Sequence, residues 1–387
     1  MATYSEIIKK PAVIRVVSSQ LAARFPFGMM TLVFVLHIQG MTGSYAIAGL
    51  AVGLETLGVA IAGPMLGRWM TTFGVRRMLL ISASISSATI FAIGLLPLSP
   101  EYLVALCLLV GLSSPPIQSA VRTIYPTLVE KRQMGTLYAL DASLQEIIWV
   151  IGPVAATFIA ASSNTTMGVV VMGLVQITGA IWFCSNPEIS KIDLPKPSRR
   201  LGGVLKQKIV VANTIIGGLL VGSFSGVEVG TVALFDKATA GWVIAALSLG
   251  SMIGGFAFGH RSRTRFALAK FLTTVTAGYV LVFFAPENPI WLSITWFLAG
   301  LCVAPALGLL GAIIGATVKS QDAPEAYGWV GTGQTAGYAA AAAATGFVID
   351  LVNPVFALAT AGICAGAASV VAWYTARFTP VISNQNS

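Results

Sequence analysis

Twelve apolar stretches, separated by short polar or turn-forming segments, run the length of the chain at 13–38, 44–67, 77–97, 102–124, 137–161, 166–184, 209–234, 239–259, 267–285, 290–317, 326–349 and 354–376. A helix rising 1.5 Å per residue needs about 20 predominantly apolar residues to cross a bilayer core. The pattern therefore predicts twelve transmembrane helices, numbered spans 1 to 12. Most connections are a few residues long, such as Gln39 to Gly43 and Ser162 to Thr165, so consecutive spans run antiparallel. One connection differs. Residues 185–208 carry Lys191, Lys196, Arg199, Arg200, Lys206 and Lys208 with Pro187, Pro195 and Pro197. They read as a basic cytoplasmic linker dividing a bundle at 1–184 from a second at 209–387.

Composition agrees. Hydrophobic residues make up 56% of the chain and charged residues 10%, with mean hydropathy +0.83, which excludes a soluble protein of this size. The 40 glycines and 18 prolines lie inside the apolar runs, as membrane helices permit, so collagen and disorder are excluded as well. The net charge of +9 is an orientation signal. Of the 23 basic residues, 20 fall on one side: Lys9, Lys10 and Arg15, the 2–3 loop, the 4–5 loop, the linker, the 8–9 loop, Lys319 and Arg377. Lys237 stands on the other side, and Arg24 and Arg122 lie within spans. The expectation is a multi-pass protein of the cell membrane, monomeric, with both termini cytoplasmic and no nucleic-acid partner. The N-terminal stretch lacks the short apolar core of a cleaved signal, so span 1 is expected to be retained. Cys107, Cys184, Cys302 and Cys364 are scattered without a CxxC pair and read as small buried hydrophobes.

The two halves repeat each other. Gly63 and Gly67 near the end of span 2 correspond to Gly255 and Gly259 near the end of span 8 at an offset of 192. Tyr138, Gln145 and Phe158 on span 5 correspond to Tyr327, Gln334 and Phe347 on span 11 at an offset of 189. Weak internal symmetry of this kind is characteristic of transporters.

On these residues the chain resembles the major facilitator superfamily over essentially its whole length. The 2–3 loop carries the clearest match, Gly67-Arg68-Trp69-Met70-Thr71-Thr72-Phe73-Gly74-Val75-Arg76-Arg77, against a family pattern of roughly G-x-L-A-D-R-x-G-R-R. Thr71 stands where the family has an acid that meets helix 11 in the outward-facing state, so the resemblance implies the loop without that contact. Gly152-Pro153 in span 5 resembles a motif of proton-driven exporters. The stretch from Pro115-Pro116 through Arg122 to Asp141, Gln145 and Glu146 resembles a bacterial branch of presumed exporters. The implied fold is an all-α membrane protein, twelve transmembrane helices in two pseudo-symmetric six-helix bundles. In it Gly63, Gly67, Arg68, Gly74, Arg76, Arg77, Gly152 and Pro153 would serve the conformational change.

Ionisable residues inside spans are costly and are functional candidates by default. Here they are Arg24 on span 1, Glu55 on span 2, Arg122 on span 4, Asp141 and Glu146 on span 5 and Glu228 on span 7. At 1.5 Å per residue, Arg24 and Glu55 lie about 16–18 Å from their span starts and Glu146 about 13 Å, all near the midplane. Arg24 and Glu55, at similar depth on consecutive helices, are expected to be able to pair. A carboxyl left without a cation in a low-dielectric site can exchange a proton near neutral pH, which makes Glu146 or Glu55, with Arg24, the candidates for proton coupling. Arg122 and Asp141 read as a gate or packing pair near the cytoplasmic face. Gln145, Glu228 and Gln334 are candidates to line the substrate cavity, and Glu228 reads equally as an outer gate or a headgroup contact. The small residues Gly53, Gly58 and Gly63 of span 2 and Ala339 to Ala344 of span 11 allow close helix approach and suggest faces that slide as the halves rock.

His37 and His260 lie at opposite membrane faces and no Walker loop is present, so no metal, cofactor or nucleotide chemistry is expected. The reading is a secondary transporter, a proton antiporter of the inner membrane exporting a small amphipathic neutral or cationic molecule. Its partners are the lipid bilayer, protons and the small-molecule substrate. Proton-symport import in the same fold is the alternative; a membrane sensor or membrane-embedded transferase is the reading from another class.

Overall fold

The computed structural model describes residues 4–162, 164–190, 194, 200–259 and 264–379. Within them every predicted span is helical over most of its length. A short helix, Tyr4–Ile8, precedes span 1, Pro11–Thr42, and spans 2 and 3 are Tyr45–Phe73 and Val75–Leu95. Span 4 is broken into Pro100–Leu112 and Ile117–Leu128 by Pro115-Pro116; spans 5 and 6 are Met134–Ser162 and Thr165–Cys184. Spans 7, 8 and 9 are Lys208–Leu234, Lys237–Phe258 and Ala267–Leu281. Span 10 breaks between Pro289–Gly300 and Val303–Thr317, and spans 11 and 12 are Ala323–Leu351 and Pro354–Thr375. The break in span 10 answers that in span 4, because proline removes a backbone donor and disrupts the preceding turn. Of the basic linker, Pro187–Ser190 is helical and Gly203–Lys206 forms a 3-10 turn. Its Lys191, Lys196, Arg199, Pro195 and Pro197 lie outside the described residues, as do His260, Arg261 and Arg263.

Eleven helices among the described residues are long and apolar enough to cross a membrane. Span 11, with 29 residues, has the length but carries Glu325, Thr332, Gln334, Thr335 and Thr345 among glycines and alanines. Its position explains this composition: it lies against spans 2 and 7 rather than wholly against lipid. Away from the chain ends four helices begin on uncharged caps, while span 8 begins on Asp236, which accepts from the Thr239 N–H. Ser44, Asn164, Asn288 and Asn353 each accept a backbone N–H of the helix that follows, satisfying donors that the first turn leaves free. Gly43 and Gly74, at φ +70° and +89°, make the sharp 1–2 and 2–3 turns that only glycine adopts without strain.

The halves are built alike. Span 1 packs on spans 5 and 6, span 2 on span 4 and span 3 on span 6, just as span 7 packs on 11 and 12, span 8 on 10 and span 9 on 12. One apolar core lies within the second half and another in the part of the first half far from the chain ends. A third core, on the side carrying both chain ends, draws Leu137, Tyr138 and Ile124 from the first half together with Ala326, Tyr327 and Val330 from the second. The halves thus share an interior on the terminus side. On the far side the Cβ positions of Gly49, Gly53, Gly241 and Gly346 meet open space.

Close packing inside the first half depends on span 1 meeting span 5 backbone to backbone. A Cβ on Gly152 would lie 2.6 Å from the Gly28 carbonyl carbon, and one on Gly28 would strike the Ile148 carbonyl. Gly28→Ala is expected to destabilise the fold by about 1–3 kcal/mol. Gly53→Ala, in open space on a helix, is expected to be neutral or stabilising by up to about 1 kcal/mol. Thermal unfolding of the purified protein in detergent distinguishes the two.

Candidate functional site

Three charges meet between spans 1, 4 and 5. Asp141 Oδ1 accepts from Arg24 Nη1 at 3.1 Å and from Gln20 Nε2 at 3.2 Å, while Asp141 Oδ2 accepts from Arg122 Nε at 3.3 Å. Arg24 also donates to Gln20 Oε1 at 2.9 Å. With its amide oxygen toward Arg122, Gln118 accepts from both terminal nitrogens at 3.0 and 3.1 Å. The side chains are 4% exposed for Arg24, 5% for Arg122 and 0% for Asp141. Burial this deep requires such pairing, and each guanidinium has carboxylate and amide partners.

The expected approach of Arg24 to Glu55 is not made. Side chains on a helix lean toward its N-terminus, so Arg24 reaches down span 1 to the level of Gln20, where span 5 presents Asp141. Glu55 instead is buried on span 2, whose backbone at Glu55 lies directly on Gly111 of span 4; its carboxylate accepts from the neighbouring Thr56 hydroxyl at 3.3 Å. The other two carboxyls also meet hydroxyls. Glu146 accepts from Ser251 of span 8 at 2.8 Å, across the boundary between the halves near the middle of both helices. Glu228 accepts from Tyr338 of span 11 at 2.5 Å, within the second half. Gln334 lies over Gly217 of span 7 and Gln145 is half-buried. His37 sits between the Thr165 hydroxyl at 3.2 Å and the Ile93 carbonyl at 3.1 Å, near the far end of span 1.

On the terminus side spans 2 and 11 touch through small residues. A Cβ on Gly328 would lie 2.6 Å from the Gly63 carbonyl oxygen, and one on Gly67 would strike the Pro324 carbonyl. Thr332 donates to the Ala60 carbonyl at 2.5 Å. Spans 5 and 8 meet the same way, with Gly255 against Ser143 and Gly259 against Ala139, while Tyr4 donates to the Gly255 carbonyl. Next to these contacts Arg68 Nη1 pairs with Glu325 Oε2 at 3.1 Å, and Glu325 Oε1 accepts from the Gly202 amide at 2.7 Å. The structure continues span 2 through most of the expected 2–3 loop, so the end of span 2 holds span 11 through a base, Arg68, on one helix and an acid, Glu325, on the other. Thr71, in the usual acidic position, bonds back to the Arg68 carbonyl at 2.7 Å. Arg76 and Arg77 are exposed at the start of span 3, and Gly74 serves the turn before them.

Several of these partners were not singled out in the sequence. Gln20, Gln118, Ser251, Gly28 and Glu325 carry no motif that separates them from ordinary span residues. Tyr138 and Tyr327 did carry a signal, their shared place in the repeat, and their hydroxyls lie 2.6 Å apart.

Two six-helix bundles of like construction, joined through a shared core on the terminus side and carrying charges within their spans, have the architecture of a membrane transporter. The chain belongs to the major facilitator superfamily: the family model of that description matches residues 16–235, more than half of its length. It is similar to a bacterial homologue of the iron transporter ferroportin in an outward-facing state, with 13% identity, 94% of this chain and 98% of that chain covered, and a TM-score of 0.77. It is also similar to the human organic anion transporter MFSD10 (TETRAN), with 13% identity, 93% and 98% covered, and a TM-score of 0.75. At such identity these likenesses show the fold alone. No curated protein matches the sequence. The chain is thus a membrane-embedded secondary transporter and not an enzyme.

Removing one member of the triad strands the others. Asp141→Asn leaves two buried guanidiniums without a counter-charge and is expected to destabilise the protein by about 3–5 kcal/mol. At the partly exposed latch, Arg68→Glu should loosen the terminus side and the exchange Arg68→Glu with Glu325→Arg should restore it. The corresponding checks are thermal unfolding and proteolysis of the 2–3 loop.

Proposed function

We propose that the protein exports a small amphipathic neutral or cationic molecule in exchange for protons, as a monomer working by alternating access, with both chain ends in the cytoplasm. The observation that carries this reading is Glu146. It is an intramembrane carboxyl at the boundary between the halves with a hydroxyl, and no cation among the described residues, as its partner. Such a carboxyl takes up or loses its proton as the polarity around it changes, and separation of spans 5 and 8 would change that polarity directly. The substrate charge follows from the same inventory. Both intramembrane guanidiniums are committed to Asp141 and to glutamines, whereas Glu55, Glu146 and Glu228 have hydroxyl partners and no cation among the described residues. Export is supported by Gly152-Pro153, which resembles the exporter motif and here seats span 5 on Gly28 of span 1.

Helical spacing supports the rocking motion. Ala60, Gly63 and Gly67 face span 11 on the terminus side, and Gly49, Gly53 and Thr56 continue the same face of span 2 toward the far side, since residues three and four apart share a face. On span 11 the face of Pro324, Gly328 and Thr332 continues through Ala339, Ala343 and Gly346. Gly49, Gly53, Ala339 and Ala343 are exposed. These smooth far halves are unused in the present state and are suited to close when the near halves part. With the basic loops in the cytoplasm, the present state is outward-open.

Purified protein in liposomes with an imposed pH gradient tests the coupling. Solute movement against its gradient is expected for the native chain, and Glu146→Gln should abolish that uphill movement while leaving downhill exchange within about a factor of a few. Uphill movement retained in Glu146→Gln would remove Glu146 from the coupling step, and movement in the same direction as the protons would mean symport.

A further inference from the structure

Tyr138 and Tyr327 occupy equivalent places in the two repeats and meet each other. Their hydroxyl oxygens are 2.6 Å apart. Tyr138 also reaches the Arg122 carbonyl at 2.9 Å, and Tyr327 reaches the Gly311 carbonyl at 3.1 Å. Arg122 and Gly311 are themselves related by the offset of 189 that relates the tyrosines, so the axis of the repeat passes between the two hydroxyls. This is an isologous contact, in which one patch binds its own copy, made within a single chain. The pair lies in the core that joins the halves, Tyr138 wholly buried and Tyr327 nearly so. Immediately on its terminus side lies a cavity of about 550 Å³ lined in part by Arg122, Thr127, Gly315, Ser320 and Tyr327. Tyr327 forms part of the inner wall of that vestibule, with Tyr138 behind it.

Proton counting gives the contact its character. Each phenol has one proton, whereas three contacts lie within hydrogen-bonding distance. Two protons serve two contacts at a time. One hydroxyl donates across the axis while its partner donates to the carbonyl in its own half, and the two choices are related by the repeat. When the halves separate, the hydroxyl that donated across the axis exchanges that bond for one to water in the opened vestibule, an exchange that costs about 1 kcal/mol, while its partner keeps its own carbonyl. The contact can therefore be broken and remade each cycle without stranding a buried donor. Room for it is provided by Gly315, where a Cβ would lie 2.6 Å from the Tyr138 hydroxyl oxygen and 3.0 Å from that of Tyr327.

We propose that Tyr138 and Tyr327 are a self-complementary hydroxyl latch that holds the terminus-side gate closed and opens once in every transport cycle. The proposal rests on the alternating-access reading above. It places the gate next to the charges: Tyr138 precedes Asp141 by one turn of span 5 and bonds to the backbone of Arg122.

The test measures gate opening without any substrate. Nitroxide labels on cysteines replacing the exposed Lys131 and Lys319, one on each half, in a chain otherwise free of cysteine and reconstituted in lipid, report the distance between the halves by pulsed electron resonance. Two distances are expected, for closed and open gates. Tyr138→Phe should lower the closed-to-open ratio roughly 5-fold. Tyr327→Phe should do the same, and the double variant should match the single ones, because either change removes the same cross-axis bond. Gly315→Ala should open the gate in the native background and lose most of that effect in the double phenylalanine variant. Two distances whose populations ignore the hydroxyls, or single effects that multiply in the double variant, would overturn the latch while leaving alternating access standing. One unchanging distance in every variant would overturn both.

Discussion

A charge in hydrocarbon must find a partner inside the protein or cost several kcal/mol, and this constraint organises the interior. Two arginines and one aspartate are held between spans 1, 4 and 5 with two glutamines completing their hydrogen bonds. The cluster is too deeply satisfied to exchange partners readily, and it ties three helices of the first half into one body. The glutamates are placed differently. Each has a hydroxyl for a partner, and Glu146 has a hydroxyl contributed by the other half. Ion-paired charges thus lie within a bundle, and the carboxyl of Glu146 lies between bundles.

Duplication supplies the second organising element. Because the two halves repeat, a contact that works once across the axis works again on the other side: spans 2 and 11 and spans 5 and 8 close through matching small residues. Glycine and alanine remove the side-chain bulk that would make the faces interlock, so the halves approach by backbone contact. Among the described residues, ionic closure is added at one of the two contacts, where Arg68, Glu325 and the Gly202 amide join span 2, span 11 and the linker. In this chain Arg68 faces span 11, and Thr71, at the position where the superfamily pattern has an acid, bonds back to the Arg68 carbonyl.

Much of the fold was legible because the bilayer imposes a length on every span. The break in span 4 falls at Pro115-Pro116 and that in span 10 lies one turn before Pro305, whereas Pro26 and Pro153 lie within continuous helices. Span 11 was visible as an apolar run, though its Thr, Gln and Glu content reflects neighbours that sequence does not show. Depth along a helix was also legible, but which way a side chain leans and which helix it meets were not, and that is why Arg24 joins Asp141 and not Glu55. Ser251 and Gln20 are ordinary polar residues until the helices are placed. Tyr138 and Tyr327 lay in plain view within the repeat, but only the fold brings equivalent residues to the axis.

The central claim is that the small-residue faces of spans 2 and 11 close alternately, near halves in one state and far halves in the other. The most direct measurement compares the reactivity of a cysteine at Gly53, on the far half of span 2, toward a membrane-impermeant thiol reagent in two backgrounds. In one, Gly67 is native; in the other, Gly67→Leu places a side chain against the Pro324 carbonyl and wedges the terminus side apart. The account predicts fast labelling in the native background and slow labelling with the wedge. Equal labelling in both would contradict it.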